Sequence, residues 1–357
     1  MQIADTPAAP ALDALCVWLA ERAAGLDASG HWPAEQLARC GQAGVFRWFL
    51  PREHGGFEWS DADVVRGYLK LSAACLTTTF IITQRSGACE RIAGGASPVA
   101  QERLLPALAS GERFATVGIS HLTTSRRHLG QPALRARETR RGFVLDGYSA
   151  WVTGAEHAQH VVVGATLEDG RQVLLALPTD LPGVSTPPPP RLVALSSSHT
   201  GPLECAGVEI DREWLLAGPD ENVLATARSR GTGGLQTSTL AIGLAGAALE
   251  WLEGQAAIRG ELREAAAQFR GEHDQVLADL LAMAEGQAAC GTESLRTRAN
   301  SLVLRSTQAA LMAAKGAGFV EGHPTGRWVR EALFFLVWSC PQPVANANLC
   351  ELAGLHD

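Results

Sequence analysis

The sequence predicts an α+β fold of three successive blocks, helical, then β, then helical again. Three observations carry that reading. Up to residue 114, apolar residues recur at spacings of three and four, the period of a helix with one buried face. Across 115–222 the texture changes to short β-branched runs separated by turn residues. From 223 to 357 helical spacing returns. Strands are gathered in one stretch rather than alternating with helices, which argues against a parallel α/β sheet. The expected division is therefore an N-terminal helical domain (1–114), a middle β domain (115–222) and a C-terminal helical bundle (223–357).

Each block has recognisable elements. Leu12, Leu15, Cys16 and Leu19 mark the first helical face. Loops are expected at Asp27-Ala28-Ser29-Gly30 and at Pro51-Arg52-Glu53-His54-Gly55-Gly56, where glycine and proline punctuate the pattern. Strands are expected around Thr116-Val117-Gly118-Ile119, Phe143-Val144-Leu145, His160-Val161-Val162-Val163 and Val173-Leu174-Leu175. Within 142–155 the order reads strand, turn at Asp146-Gly147, second strand, then a Gly154-Ala155 break. Pro187-Pro188-Pro189-Pro190 can only be an exposed loop or sheet edge. The stretches 235–259, 263–289 and 293–314 each read as a long helix. No internal repeat is visible.

Composition narrows the function classes. Of 357 residues, 46% are hydrophobic and 19% charged, enough apolar material for a sizeable core. The net charge of −7 argues against a general affinity for nucleic acid or an anionic membrane, both of which need a basic surface, and leaves room only for a local basic spot. Eight cysteines stand singly with no C-x-x-C, so neither a zinc framework nor a disulfide scaffold is expected. No basic region followed by an apolar run opens the chain, and no 18-residue apolar span occurs, so a soluble cytoplasmic protein without membrane insertion is expected. His121, His128, His157 and His160 cluster around the proposed strands, and His323 precedes Pro324. None pairs with a carboxylate at metal-ligand spacing, so no metal is expected.

The most informative segment is Trp151-Val152-Thr153-Gly154-Ala155. Residues two apart on a strand share a face, so a large ring stands beside a hydroxyl. That pairing suits a flavin, whose tricyclic ring stacks and whose N5 and O4 accept hydrogen bonds. It is equally the pattern of ordinary cross-strand packing.

The block order and four anchors resemble the acyl-CoA dehydrogenase superfamily over essentially the whole chain. The anchors are Pro51-Arg52-Glu53-His54-Gly55-Gly56, similar to a Pro-x-Glu-x-Gly-Gly loop; Trp151-Val152-Thr153, similar to the flavin-contacting Trp-Ile-Thr; Leu244-Ala245-Gly246-Ala247-Ala248-Leu249, near the start of the third block's long helix; and Arg327-Trp328-Val329-Arg330-Glu331-Ala332, similar to an Arg-x-x-Arg-Asp-Ala turn. The resemblance implies a middle β-barrel or sandwich, a C-terminal four-helix bundle, and FAD held between them. It also implies a homo-oligomer, a dimer or commonly a tetramer. Carried over, Trp151 covers the flavin ring, Thr153 bonds near N5, and Ser120 supplies the hydroxyl at the pyrimidine edge; read locally, Ser120 also fits a turn cap.

The pattern also breaks. The family's glycine-containing Glu-Pro-x-x-Gly-Ser-Asp loop is replaced by His121-Leu122-Thr123-Thr124-Ser125-Arg126-Arg127-His128. Arg126 and Arg127 can pair with phosphates of substrate or cofactor, or form a solvated charged loop. His121 takes the place of the acidic loop residue and is a candidate acid, the alternative being a solvent-facing turn residue. The family's glutamate base sits in one of two places, occupied here by Ser339 and by Gly234 of Gly233-Gly234. Neither holds a carboxylate, and the adjacent Cys340 reads as a buried thiol. The Arg-x-x-Phe pair is reduced to Arg263 and Phe269 at the wrong separation, and the glycine turn to Lys315-Gly316-Ala317-Gly318.

Three functions follow. The first is oxidation of an acyl-CoA or related acyl thioester, with a non-standard or missing base and an electron-transfer flavoprotein as partner. The second is a two-component monooxygenase using oxygen and reduced flavin, or FMN, from a flavin reductase. The third is a non-catalytic paralogue that binds flavin or partner subunits.

Overall fold

The computed structural model describes residues 3–123, 132–226 and 234–355. Five helices precede the strands: α1 (Pro10–Ser29), α2 (Ala34–Gln42), α3 (Asp61–Ala74), α4 (Leu76–Ala93) and α5 (Pro98–Ser110). In α1 the stripe Leu12, Leu15, Leu19, Ala23 and Leu26 is buried, as its spacing requires. The expected loop at 27–29 is instead the last turn of α1. The stop comes at Gly30, whose φ of 66° lets its N–H return to the Leu26 carbonyl at 3.1 Å. Asp27 remains helical and its carboxylate is engaged by Arg330 from far along the chain.

Serine caps start α3 and α5, Ser60 accepting from the Asp63 N–H and Ser97 from the Ala100 N–H. The loop at 51–56 is a 3-10 turn, Arg52–His54, ended by Gly55 at φ 77°. At Gly56 a Cβ would lie 1.8 Å from the Leu50 carbonyl oxygen, so no side chain fits. α4 is buried on nearly every face, because it lies between the helical core and the sheet.

The β block is one eight-stranded sheet: β1 (Ala115–Gly118), β2 (Leu134–Glu138), β3 (Gly142–Thr153), β4 (His160–Thr166), β5 (Gln172–Pro178), β6 (Val184–Ser185), β7 (Thr200–Asp211) and β8 (Leu215–Asp220). Its order is β6-β7-β3-β2-β4-β5-β8, with β1 joined to β4 in parallel. A short helix, α6 (Ser120–Thr123), follows β1, and α7 (Val223–Thr226) follows β8. The hairpin turn expected at Asp146-Gly147 is absent; β3 runs unbroken for 12 residues. Gly147, at φ 119°, sits beside a bulge in β7, where the register steps from Leu145 facing Val208 to Gly147 facing Cys205. The break at Gly154 does occur, at φ 63°. The four prolines lie in the irregular stretch between β6 and β7.

The third block opens with α8 (Gln236–Ile258), α9 (Arg263–Ala284) and α10 (Thr292–Ala314), close to the three stretches expected. Two shorter helices, α11 (Pro324–Ala332) and α12 (Gln342–Leu352), complete it, so the bundle is three long helices with two short ones. The Arg327–Ala332 segment is thus helix rather than turn. α8 packs on α3 as well as on α9 and α10, and residues of the first and third blocks share one apolar core. No helix among the described residues is long and apolar enough to cross a membrane.

Candidate functional site

One cavity of about 700 Å³ touches all three blocks. That lies within the range of small-molecule sites, roughly 300–1,000 Å³. Its β wall comes from the end of β1 and from α6 (Val117, Ile119, Ser120), the end of β3 (Trp151, Thr153) and the approach to β7 (Ser198, Thr200). Its helical walls come from α4, the start of α8, and the end of α11 with the residues that follow, including Ser339.

The three residues expected at a flavin, Ser120, Trp151 and Thr153, therefore line the same space, although β1 and β3 are not paired strands. Trp151 is 50% exposed, so its indole is not committed to interior packing. Thr153 is buried, and its hydroxyl meets that of Thr200 at 2.9 Å, which in turn meets that of Ser198 at 2.8 Å. Three hydroxyls joined by two contacts hold three protons and use two. One O–H of the row is left to donate elsewhere.

The opposite side is apolar and aromatic. Phe80, Phe334 and Trp338 form a cluster in which Phe334 stacks on Trp338 at 5.2 Å and Phe80 meets Trp338 edge-on at 5.0 Å. Ser339 follows at φ 44°, a left-handed conformation uncommon for a non-glycine residue.

Only two charged residues line the cavity among those described, and both are arginines. Arg330 grips Asp27 with both terminal nitrogens, one at 3.1 Å, and donates to the Val193 carbonyl at 3.1 Å. The hydrogen bond to Asp27 raises its pKa. Arg91 has one terminal nitrogen on the Gly87 carbonyl at 2.8 Å, and burial lowers its pKa. No Asp, Glu, His, Cys, Lys or Tyr lines the cavity among the described residues. A guanidinium donates hydrogen bonds but does not abstract protons.

The remaining sequence candidates fall elsewhere. His121 does not line the cavity. Leu122 packs so tightly on Gly164 that a Cβ there would meet it at 2.2 Å, and this docks α6 on β4. The His121 ring nitrogen Nε2 then pairs with the Gly164 carbonyl at 2.7 Å, and burial lowers its pKa. Gly234 stands before α8 at φ 85° and is also outside the lining, which takes Gln236 and Thr237 instead. Arg126 and Arg127 lie outside the described residues. Sequence reasoning missed Ser198, Thr200, Phe334 and Trp338. The run Ser196-Ser197-Ser198-His199-Thr200 was the available signal for the first two, but hydroxyl runs are also ordinary turn chemistry.

Comparison with known proteins agrees with this architecture. Residues 16–112 match the family "Acyl-CoA dehydrogenase, N-terminal domain". A curated relative, "Probable acyl-CoA dehydrogenase YngJ" of Bacillus subtilis (strain 168), is 25% identical over 239 residues, 65% of this chain and 62% of its own length. The chain thus spans less than two thirds of that relative. Among solved structures, butyryl-CoA dehydrogenase from Megasphaera elsdenii superposes with a TM-score of 0.83 at 15% identity, covering 98% of this chain and 99% of its own. TdsC from Paenibacillus sp. A11-2, solved with FMN and indole, gives 0.81 at 17% identity, covering 95% and 94%.

Proposed function

Proceeding from a chain that belongs to the acyl-CoA dehydrogenase superfamily, we propose that it is a flavin-dependent oxidoreductase, with FAD as its cofactor and an acyl thioester as its substrate. The observation that carries this is the convergence of Ser120, Trp151 and Thr153 on one cavity, with the spare proton of the Thr153–Thr200–Ser198 row available to it. A bound flavin supplies the hydride-accepting ring. Trp151 and the hydroxyl row would hold that ring, the indole by stacking and the row by its spare O–H. Phe80, Phe334 and Trp338 exclude water and seat the apolar part of the substrate. The active protein is a homo-oligomer that passes electrons to an electron-transfer flavoprotein.

A carboxylate-free lining also favours a second reading. Chemistry with oxygen and reduced flavin from a reductase needs no lining carboxylate to take an α-proton.

The spectrum of the protein as purified, followed by extraction of any chromophore, separates the two. A yellow protein bleached by an acyl-CoA without oxygen supports the thioester reading. A colourless protein that takes up reduced flavin supports the second, and one that takes up neither form refutes both. In the doubly substituted Trp151→Ala, Thr153→Ala protein, flavin retention is expected to fall roughly tenfold or more. An unchanged ratio of flavin to protein would falsify the site assignment.

A further inference from the structure

Away from the cavity lining, the turn that ends β3 meets the turn that opens β7 through three donor atoms. Glu156 Oε1, His157 Nε2 and His199 Nδ1 all lie within 4.8 Å of one another. His157 Nε2 is 3.1 Å from His199 Nδ1 and 3.3 Å from Glu156 Oε1. The Glu156 oxygen is also in direct contact with His199 Nδ1. The other nitrogen of His199, Nε2, faces the Gly30 carbonyl at 3.1 Å, and a carbonyl can only accept. That bond fixes the proton on Nε2, so a neutral His199 turns a lone pair toward Glu156 and His157. If His157 likewise carries its proton on Nδ1, its Nε2 adds a third lone pair to this point, an arrangement that a bound cation satisfies.

We propose that Glu156, His157 and His199 bind a zinc ion, with solvent completing the coordination. Ligand atoms around a tetrahedral zinc with bonds of about 2.0–2.1 Å lie about 3.3 Å apart, close to the separations that His157 makes, while the shorter Glu156–His199 contact must open for both to bind one ion. Two imidazoles and a carboxylate are a zinc donor set, and one position remains open. The supporting contacts are those that metal sites use. The backbone carbonyl of Gly30 orients His199, and Trp32 stacks on the His157 ring at 4.2 Å with the planes 19° apart. His199 is held in a left-handed conformation, φ 45°, with its N–H on the Ser196 carbonyl and its own carbonyl accepting from Gly154. The side chains are 20–34% exposed, so an ion can reach them. This departs from the expectation of no metal. Glu156 and His157 are adjacent, and His199 lies 42 residues beyond His157, a spacing that belongs to no zinc motif.

The test uses the full-length protein stripped with chelator and dialysed against zinc chloride at about 0.1 mM, with bound metal measured by mass spectrometry. One zinc per chain is expected, with a rise in melting temperature of roughly 2–4 °C. His157→Gln and Glu156→Gln should each weaken binding roughly tenfold or more while keeping the far-ultraviolet circular dichroism of the parent. Two variants keep the test readable if one misfolds. Wild-type protein without stoichiometric zinc would overturn the proposal, leaving a cluster closed by a proton on His199. Equal zinc in wild type and both variants would overturn it too, and would assign the metal to other groups such as the free thiols.

Discussion

His160 opens β4 with its backbone paired on both sides, to Ala115 of β1 and Pro178 of β5, and its ring lies against Trp214 at 5.3 Å. Burial, reinforced by the charge of Arg113 and opposed by Asp180, pushes its pKa from 6.5 down to about 4. The folded protein therefore keeps this imidazole neutral where the unfolded chain would protonate it. Between these two values the unfolded state binds more protons, so stability is present above about pH 6.5 and drains away as pH falls toward 4. The burial of His121 lowers its pKa in the same direction. Urea unfolding at pH 7 and pH 5 should differ by about 2 kcal/mol from His160 alone. The difference should shrink in His160→Gln, and an unchanged difference would show that this ring does not carry the effect. Single residues were unevenly legible. Trp151 and Thr153 could be read because strand periodicity puts both on one face, while Ser198 and Thr200 could not, since their role depends on which strand lies beside β3.

At the scale of elements, Gly147 shows how a neighbour overrules a local signal. Asp146-Gly147 has the chemistry of a two-residue hairpin turn, yet β3 continues because it is paired on both flanks, Gly147 facing Leu134 of β2 and Cys205 of β7. Gly147 adopts φ 119°, and a Cβ would lie 2.1 Å from the Ala133 carbonyl oxygen. Gly147→Ala should therefore cost about 1–3 kcal/mol in backbone strain, with the steric clash added. Gly170 is the control, because its φ is 87° but nothing lies within 4 Å of an added Cβ. Thermal melts should rank Gly147→Ala well below Gly170→Ala, and equal melting temperatures would mean that the close approach to Ala133 is not maintained. The long helices α8, α9 and α10 were readable within a few residues, since their apolar period runs for more than 20 residues each. The last turn of α1 was not. Asp-Ala-Ser-Gly reads as a loop until Arg330, 303 residues away, is seen holding Asp27.

On the whole molecule, the order of the blocks was legible because segregated helices and strands admit few layer arrangements. The sharing of one core by the first and third blocks was not, because it follows from α8 lying across α3. At Gly243 that crossing leaves no room for a side chain, a Cβ there falling 2.6 Å from the Leu69 carbonyl oxygen. Among the described residues, the same architecture leaves apolar side chains uncovered near the adjoining ends of α8 and α10, as it does along α12. Met312 near the end of α10 is 82% exposed, and Phe319 and Val320 just beyond it are 86% and 64% exposed. Ile258, the last residue of α8, is 82% exposed, and the Arg259 bond to the Ala313 carbonyl at 2.7 Å holds the two helix ends together. A soluble monomer rarely leaves large apolar side chains gathered in one place, and burial against a second copy removes that cost. Light scattering on the eluting protein should therefore report an oligomer, and Met312→Glu with Phe319→Glu should reduce its mass. Both positions are already at the surface, so the helical content should not change. A wild-type protein that elutes as a monomer would refute the assembly, whereas a substituted one that keeps the parental mass would move the interface to another face.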